Sequence, residues 1–195
     1  MPSRTVTEAA RRAQIVAAAI ETLAEVGYPK ASFARIAQRA GLSSTGLISY
    51  HFEGKSDLMA QIAEETYAAM SKHMASRMAG AHGPAQALEA YIRGVVEFIA
   101  GHRREMKAVL EIFLNGGIQY TPDTELVALS PVEEILRAGQ SAGEFRRYDV
   151  PVMAAVIQRS VDGLPFLLEA RPGTDLSQYA DELVTTFTLA TRCGS

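Results

Sequence analysis
The sequence predicts an all-α fold, a small N-terminal head of three helices followed by a larger helical body. Three observations carry that prediction. Long segments repeat their apolar residues at spacings of three and four, the period of a half-buried helix, and no stretch alternates convincingly as a strand does. Glycine and proline gather between those segments, at Gly27-Tyr28-Pro29, at Gly41, from Gly80 to Pro84 and at Gly116-Gly117, where they punctuate the chain. The charge is also divided: residues 1–58 hold seven Lys and Arg against five Asp and Glu, a net of +2, while the remainder holds 12 against 17, a net of -5. Such asymmetry is expected of a small basic module that meets an anionic partner beside a body that does not.

The elements of the head follow in order. The first helix is expected from about Glu8 to Val26, with Ile15, Ala19, Leu23 and Val26 as its buried stripe and Gly27 as its stop. Arg11 and Arg12 near its start read equally well as a solvated face or as phosphate contacts. After the turn Gly27 to Lys30, Ser32 is placed to N-cap a second helix whose apolar face is Phe33, Ile36, Ala37 and Ala40, and Gly41 ends it in the left-handed conformation. Ser43 is expected to N-cap the third helix, with Leu47 inward, Phe52 in the core, and Ser44, Thr45, Ser49, Tyr50 and His51 outward. This is a helix-turn-helix.

A long helix from about Lys55 to Met78 is expected next, with Leu58, Ile62, Thr66, Met70 and Met74 on one face and Met59, Ala63 and Tyr67 beside them. No glycine or proline interrupts it, so it links head to body mechanically, and the division falls at 1–58 and 59–195. In the body, Leu88, Ile92, Val95, Val96 and Ile99 mark a helix from about Pro84 to Gly101, and Met106, Val109, Leu110, Phe113 and Leu114 mark the next. Ser130-Pro131-Val132-Glu133 has the pattern of a capping box opening a helix to about Ala142. Asp149-Val150-Pro151 opens another, with Met153, Val156, Ser160, Val161 and Leu164 on a face and Pro165 kinking it. The last helix follows Thr174, with Leu176, Tyr179, Leu183, Phe187 and Ala190 on one side.

The run Ile36-Ala37, Ala40-Gly41-Leu42-Ser43, Gly46, Tyr50-His51-Phe52, Lys55 and Leu58 resembles the N-terminal signature of the tetracycline-repressor (TetR) family of transcriptional regulators. Gly139, Gly143-Glu144-Phe145-Arg146, Asp149, Ala154-Ala155 and Asp162-Gly163-Leu164 are similar to a pattern of that family's regulatory domains, so the resemblance covers most of the chain. One departure stands out: Ser44-Thr45 make the segment between Ser43 and Gly46 a residue longer than its commonest form. The resemblance implies a ligand-responsive regulator, a repressor that releases double-stranded DNA on binding an effector. The expected DNA-facing set is Ser32, Ser43, Ser44, Thr45, Gly46, Ser49, Tyr50, His51 and Lys55. Hydroxyls on Ser44, Thr45 and Ser49 suit base edges but discriminate poorly, whereas Tyr50 and His51 suit phosphates. Lys55 at a helix start would add an ammonium to the free N–H groups there.

The resemblance also implies a ligand cavity and a homodimer. Tyr67, Met70, Met74, Phe98, His102, Met106, Phe113, Tyr120 and Phe166 are the candidate cavity lining, each of them also readable as ordinary core. Adaptable methionines beside aromatics suit a small hydrophobic effector. Val156, Ser160, Gly163, Leu183 and Phe187 on the last helices are the expected dimer interface, a four-helix bundle made with a second copy.

Composition bounds the alternatives. With 48% hydrophobic and 21% charged residues, the 195-residue chain is ordinary for a globular protein. The single Cys193 makes no internal disulfide, and neither a signal-peptide run nor a membrane span is found, so a cytoplasmic location without membrane attachment is expected. An enzyme fares badly. His51, His73, His82 and His102 form no metal-binding pair, and Glu64-Glu65 and Glu133-Glu134 point about 100° apart on a helix, so catalytic residues, metal and cofactor are all expected to be absent. An all-helical partner-binding protein without DNA function accounts for the body but gives the head no reason.

Overall fold
Several helices start on hydroxyl or carboxylate caps, at Ser32, Thr121, Asp149 and Asp175, and several are followed by glycines with positive φ, at Gly27, Gly41, Gly116 and Gly143. The computed structural model describes residues 3–119 and 121–193. Its helices are α1 (Ser3–Val26), α2 (Phe33–Arg39), α3 (Gly46–His51), α4 (Lys55–Met78), α5 (Pro84–Gly101), α6 (Arg103–Leu114), α7 (Pro122–Ser141), α8 (Val150–Asp162), α9 (Leu164–Ala170) and α10 (Leu176–Thr191). A short 3-10 turn, Tyr28–Lys30, joins α1 to α2. Among the described residues the extended structure is one isolated bridge, Phe145 to Arg192. The all-α expectation therefore holds.

Three expected boundaries move. The first helix begins at Ser3 rather than near Glu8. The capping box sits at Thr121, whose Oγ1 accepts the Thr124 N–H at 3.3 Å while its own N–H donates to Thr124 Oγ1 at 2.7 Å. α7 thus starts nine residues before the Ser130-Pro131 pattern. The Ser130 hydroxyl instead turns back and donates to the Leu126 carbonyl at 2.6 Å, and Pro131 lies inside the helix. The bond Pro131 cannot make belongs to the carbonyl of Val127, an exposed residue. Pro165, expected to kink one helix, separates two: α8 ends at Asp162, and Pro165 occupies the first turn of α9, where its missing N–H costs nothing. Asp149 caps α8 as expected, accepting from the Val152 N–H at 3.0 Å.

The chain packs as two units. The first contains the residues up to Ala68 together with His102–Gln119, and the second contains Ala69–Gly101 and the rest of the chain. In the first, Ile15, Leu23, Ile36, Ile48, Phe52, Leu58 and Ile62 share one core with Ala108 and Ile112 of α6. The inward residues of α6 are Ala108, Val109 and Ile112, so Phe113 and Leu114, expected on its buried stripe, are exposed. Polar contacts reinforce the packing of α6 on α1: Arg104 pairs with Glu21, and Glu111 Oε2 accepts the Tyr28 N–H at 2.8 Å.

The second unit is built around α5, which buries Leu88, Tyr91, Ile92, Val95, Val96, Phe98 and Ile99 against α7, α8, α9 and α10. The Tyr91 hydroxyl donates to Gln158 Oε1 at 2.6 Å, and burial, with the nearby Asp162 charge, pushes its pKa up to about 12. Phe145 lies across α7 at Gly139, where an added Cβ would stand 2.0 Å from Phe145 Cδ2. Gly139→Ala should therefore destabilise the protein by about 1–3 kcal/mol despite alanine's better helix propensity. Chemical denaturation should show the loss, and Phe145→Leu in the same chain should recover part of it; additive losses would mean the two residues do not meet.

Candidate nucleic-acid interface
The surface of α2 and α3 is shaped by how each helix is closed. Ser32 caps α2 by accepting the Arg35 N–H at 3.4 Å. Gly41, at φ +64, ends it with its N–H on the Gln38 carbonyl, and the Leu42 N–H returns to Ala37 at 2.9 Å. Residues 42–45 then form an irregular turn before α3 opens at Gly46. Thr45 holds the N-cap position in helical conformation and its side chain makes no cap bond. Ser43 is therefore not the cap; it lies exposed in that turn.

The side of α3 that faces inward also differs from the expectation. Ile48 is fully buried and Leu47 only half-buried, the reverse of the expected anchor. One residue of phase is about 100° on a helix, enough to exchange a core position for a flank. Ser44, Thr45, Gly46, Ser49 and Tyr50 stand exposed, Tyr50 at 70%. His51 is half-buried and meets the Tyr50 ring edge-on, with centroids 5.0 Å apart. Phe52, extended at the C-cap, belongs to the core as expected.

Lys55 opens α4 as expected, yet its ammonium already has partners. Nζ donates to the Tyr28 carbonyl at 2.6 Å and lies 3.9 Å from the centre of the Tyr28 ring. Burial lowers its pKa from the usual lysine range. A phosphate at the start of α4 would share an ammonium that Tyr28 already holds. Asp57 answers the helix dipole in the first turn and accepts the Glu53 N–H at 3.0 Å. Arg39 is ion-paired with Glu25, whereas Lys30 and Arg35 are exposed. A charge count along the sequence treats these cations alike, and only their placement separates them.

The residues expected to line a ligand cavity are distributed between the two units. Tyr67, His102, Met106 and Phe113 belong to the first, with Tyr67 and Phe113 exposed and the other two half-buried. Met70, Met74, Phe98 and Phe166 belong to the second: Phe98 is core, the methionines are half-buried and Phe166 is exposed on α9. Tyr120 lies outside the described residues. The Met74 sulfur packs on α5 at Gly94, where a Cβ would approach it to 2.9 Å. His73, which periodicity did not single out, tilts against Phe98 with ring centroids 5.8 Å apart, and its buried Nε2 lacks a hydrogen-bond partner. That Nε2 lies 3.9 Å from Glu97 Oε2, so the ring stands between the Phe98 face and a carboxylate, a placement that no spacing pattern announces.

Of the residues expected at a dimer interface, Val156 is exposed, at 52%, and lines a shallow groove on α8 with Ala155, Arg159 and Ser160. Ser160 is half-buried, its carbonyl accepting the Tyr179 hydroxyl at 2.7 Å. Gly163 forms the break between α8 and α9, and Leu183 is half-buried. Phe187 departs from expectation: at 4% exposure it packs inside its own unit, because α10 presents Ala180, Phe187 and Thr191 inward. Val152, Phe166 and Leu189 are exposed on α8, α9 and α10.

Residues 15–62 match the family model described as bacterial regulatory proteins, tetR family. The chain is 38% identical over 85 residues to the HTH-type transcriptional regulator BetI 1 of Chromohalobacter salexigens, a match spanning 43% of this chain and 42%, less than half, of that relative. It is 26% identical over 176 residues to an uncharacterized HTH-type transcriptional regulator of Mycobacterium tuberculosis, covering 89% of this chain and 90% of the relative. Among solved structures, a regulatory protein in the tetR family from Rhodococcus RHA1 superposes with a TM-score of 0.80 at 20% identity, covering 95% of this chain and 98% of that one. FadR from Bacillus subtilis in complex with stearoyl-CoA gives 0.73 at 22% identity, covering 89% and 95%. At these identities the solved structures share the fold.

The burial of α3 makes a sharp stability prediction. Ile48→Ala should cost about 2–5 kcal/mol, and Leu47→Ala clearly less. Urea denaturation of both variants checks it; equal losses, or a larger one at Leu47, would mean that α3 sits in the other phase.

Proposed function
We propose that this chain, whose residues 15–62 match the model of the tetR family of bacterial regulatory proteins, is a member of that family and a ligand-responsive repressor acting in the cytoplasm without catalysis. As a homodimer it binds a roughly palindromic duplex through α3 and releases it on binding a small hydrophobic effector. The observation that carries the reading is the exposed row Ser44, Thr45, Ser49 and Tyr50 on a helix-turn-helix whose inner side is closed by Ile48 and Phe52. Such a helix enters a major groove with its first residues at base edges. α3 offers no Arg, Asn or Gln for bidentate readout, so selection rests on hydroxyls, the Thr45 methyl group, bridging water and DNA shape.

The effector reading draws on Met70, Met74 and Phe98, whose adaptable, apolar side chains suit a hydrophobic molecule, and on His73, which supplies one polar atom. The structural similarity to FadR, a regulator solved with stearoyl-CoA, supports an apolar chain as the recognised feature. α4 is unbroken from Lys55 to Met78, so a displacement at Met70 or Met74 is carried to Lys55 beside α3. A tenfold change in operator affinity requires the effector to prefer one arrangement by about 1.4 kcal/mol. Helix α8 supports the dimer with exposed Val152 and Val156 one turn apart.

Two measurements test this. Selection from genomic fragments should enrich one near-palindromic site, with log affinity falling linearly in log salt by about 0.9 per phosphate neutralised. Absence of a common site, or salt-independent binding, would refute the reading. Val156→Arg should convert the dimer to a monomer in sedimentation and abolish tight operator binding while leaving helical content unchanged. A dimer of wild-type strength in that variant would place the interface elsewhere.

A further inference from the structure
Arg12, which the sequence offered as a solvated face or a phosphate contact, is held within the head by its own chain. Its half-buried guanidinium lies 4.3 Å from the centre of the Phe52 ring. Nη1 donates to the His51 carbonyl at 2.7 Å, and Nη2 donates to Gln61 Oε1 at 2.6 Å. His51 is the last residue of α3, and the final carbonyls of a helix have no partner within it. Phe52 is the cap that turns the chain out of α3, and Gln61 lies in the second turn of α4. One planar group from α1 therefore holds the end of α3, its exit and the helix that follows. Two residues along α1, Gln14 Nε2 donates to the Ala40 carbonyl at 2.7 Å, so α1 serves the terminal carbonyls of α2 as well.

We propose that Arg12 is a positioning residue for operator recognition, fixing the direction of α3 through His51, Phe52 and Gln61 without itself contacting phosphate. This rests on the DNA-binding reading above. A six-residue helix is far too short to set its own orientation, so its anchors set it. Ile48 pins the middle and Arg12 pins the end. Arginine suits the task because its fork reaches two acceptors while its face stacks on a ring; a lysine ammonium cannot reproduce that geometry. Ser49 and Tyr50 immediately precede the pinned carbonyl and inherit their direction from it.

The test compares the full-length wild type with Arg12→Met, which keeps an apolar stem over Phe52, and Arg12→Lys, which keeps the charge. Each is titrated across a salt series against the selected operator and a random duplex of equal length, at a temperature where circular dichroism shows all three folded. Positioning predicts that both variants lose about tenfold or more on the operator, with random-duplex affinity and salt slope unchanged. An equal loss on both duplexes with a slope shallower by about one, rescued by lysine, would make Arg12 a phosphate contact and overturn the proposal. So would wild-type operator preference in both variants. If Arg12→Met does not fold, Gln61→Leu removes one anchor and should lower the preference about threefold; an unchanged preference again overturns the proposal. If the wild type itself prefers no duplex, the DNA-binding reading fails, an outcome distinct from the loss of the Arg12 role alone.

Discussion
Burial of Ile48 is the constraint on which the rest of this head depends. In α3 it is the one side chain fully enclosed, while the residues on the outer side must remain exposed to be of use. A helix so short gains little from its own hydrogen bonds, and its stability comes from the surface it packs on. Ile15, Leu23, Ile36 and Leu58 supply that surface from α1, α2 and α4. The exposed row on α3 is thus a product of the core behind it.

A three-helix head is also small for an independent core, since small domains bury a modest share of their surface. α6 meets that need by adding Ala108 and Ile112 to the same cluster. The junction is tied at Tyr28, whose N–H donates to Glu111, whose carbonyl accepts from Lys55 and whose ring lies beneath the Lys55 ammonium. A single residue after α1 thereby connects the start of α4 with α6. The backbone at Gly27, with φ +76, permits this turn, and a Cβ there would stand 3.1 Å from the Glu111 carboxylate.

Helical periodicity and caps were legible because they are local: Ser32 and Asp149 cap the helices they precede, and Gly41 stops α2 where its pattern ends. Thr121 and Ser130 are both followed three residues later by a group that can complete a cap, and only the fold shows that Ser130 bonds back to Leu126 within a continuing helix. The phase of α3 was hidden because Leu47 and Ile48 are adjacent and equally apolar, and only the packing shows that Ile48 is the inward group. Phe187 reads as an outward apolar residue until α10 is laid on its neighbours. The hydroxyl-bearing row of α3 was readable because its chemistry differs from that of a core. Candidate cavity residues were not, because Met74 or Phe98 has the same character in a core as in a lining. Arg12 was ambiguous for a third reason: its partners lie 39 and 49 residues away in sequence.

Under the proposed DNA-binding function, specificity in this head is a matter of placement more than of side-chain identity. A hydroxyl both donates and accepts, so Ser44, Thr45 and Ser49 can satisfy several bases and discriminate only when held at a fixed distance and angle. Bidentate arginine or asparagine tolerates small errors in helix position because two bonds define its partner. A row of hydroxyls tolerates less, so under the proposed function the anchors of α3 belong to the recognition apparatus. Gln14 on the end of α2, Arg12 on the end of α3 and Ile48 beneath its middle together fix the position and direction of that helix. Gln61 belongs to α4, so one of the contacts that hold the end of α3 also ties it to the helix that follows.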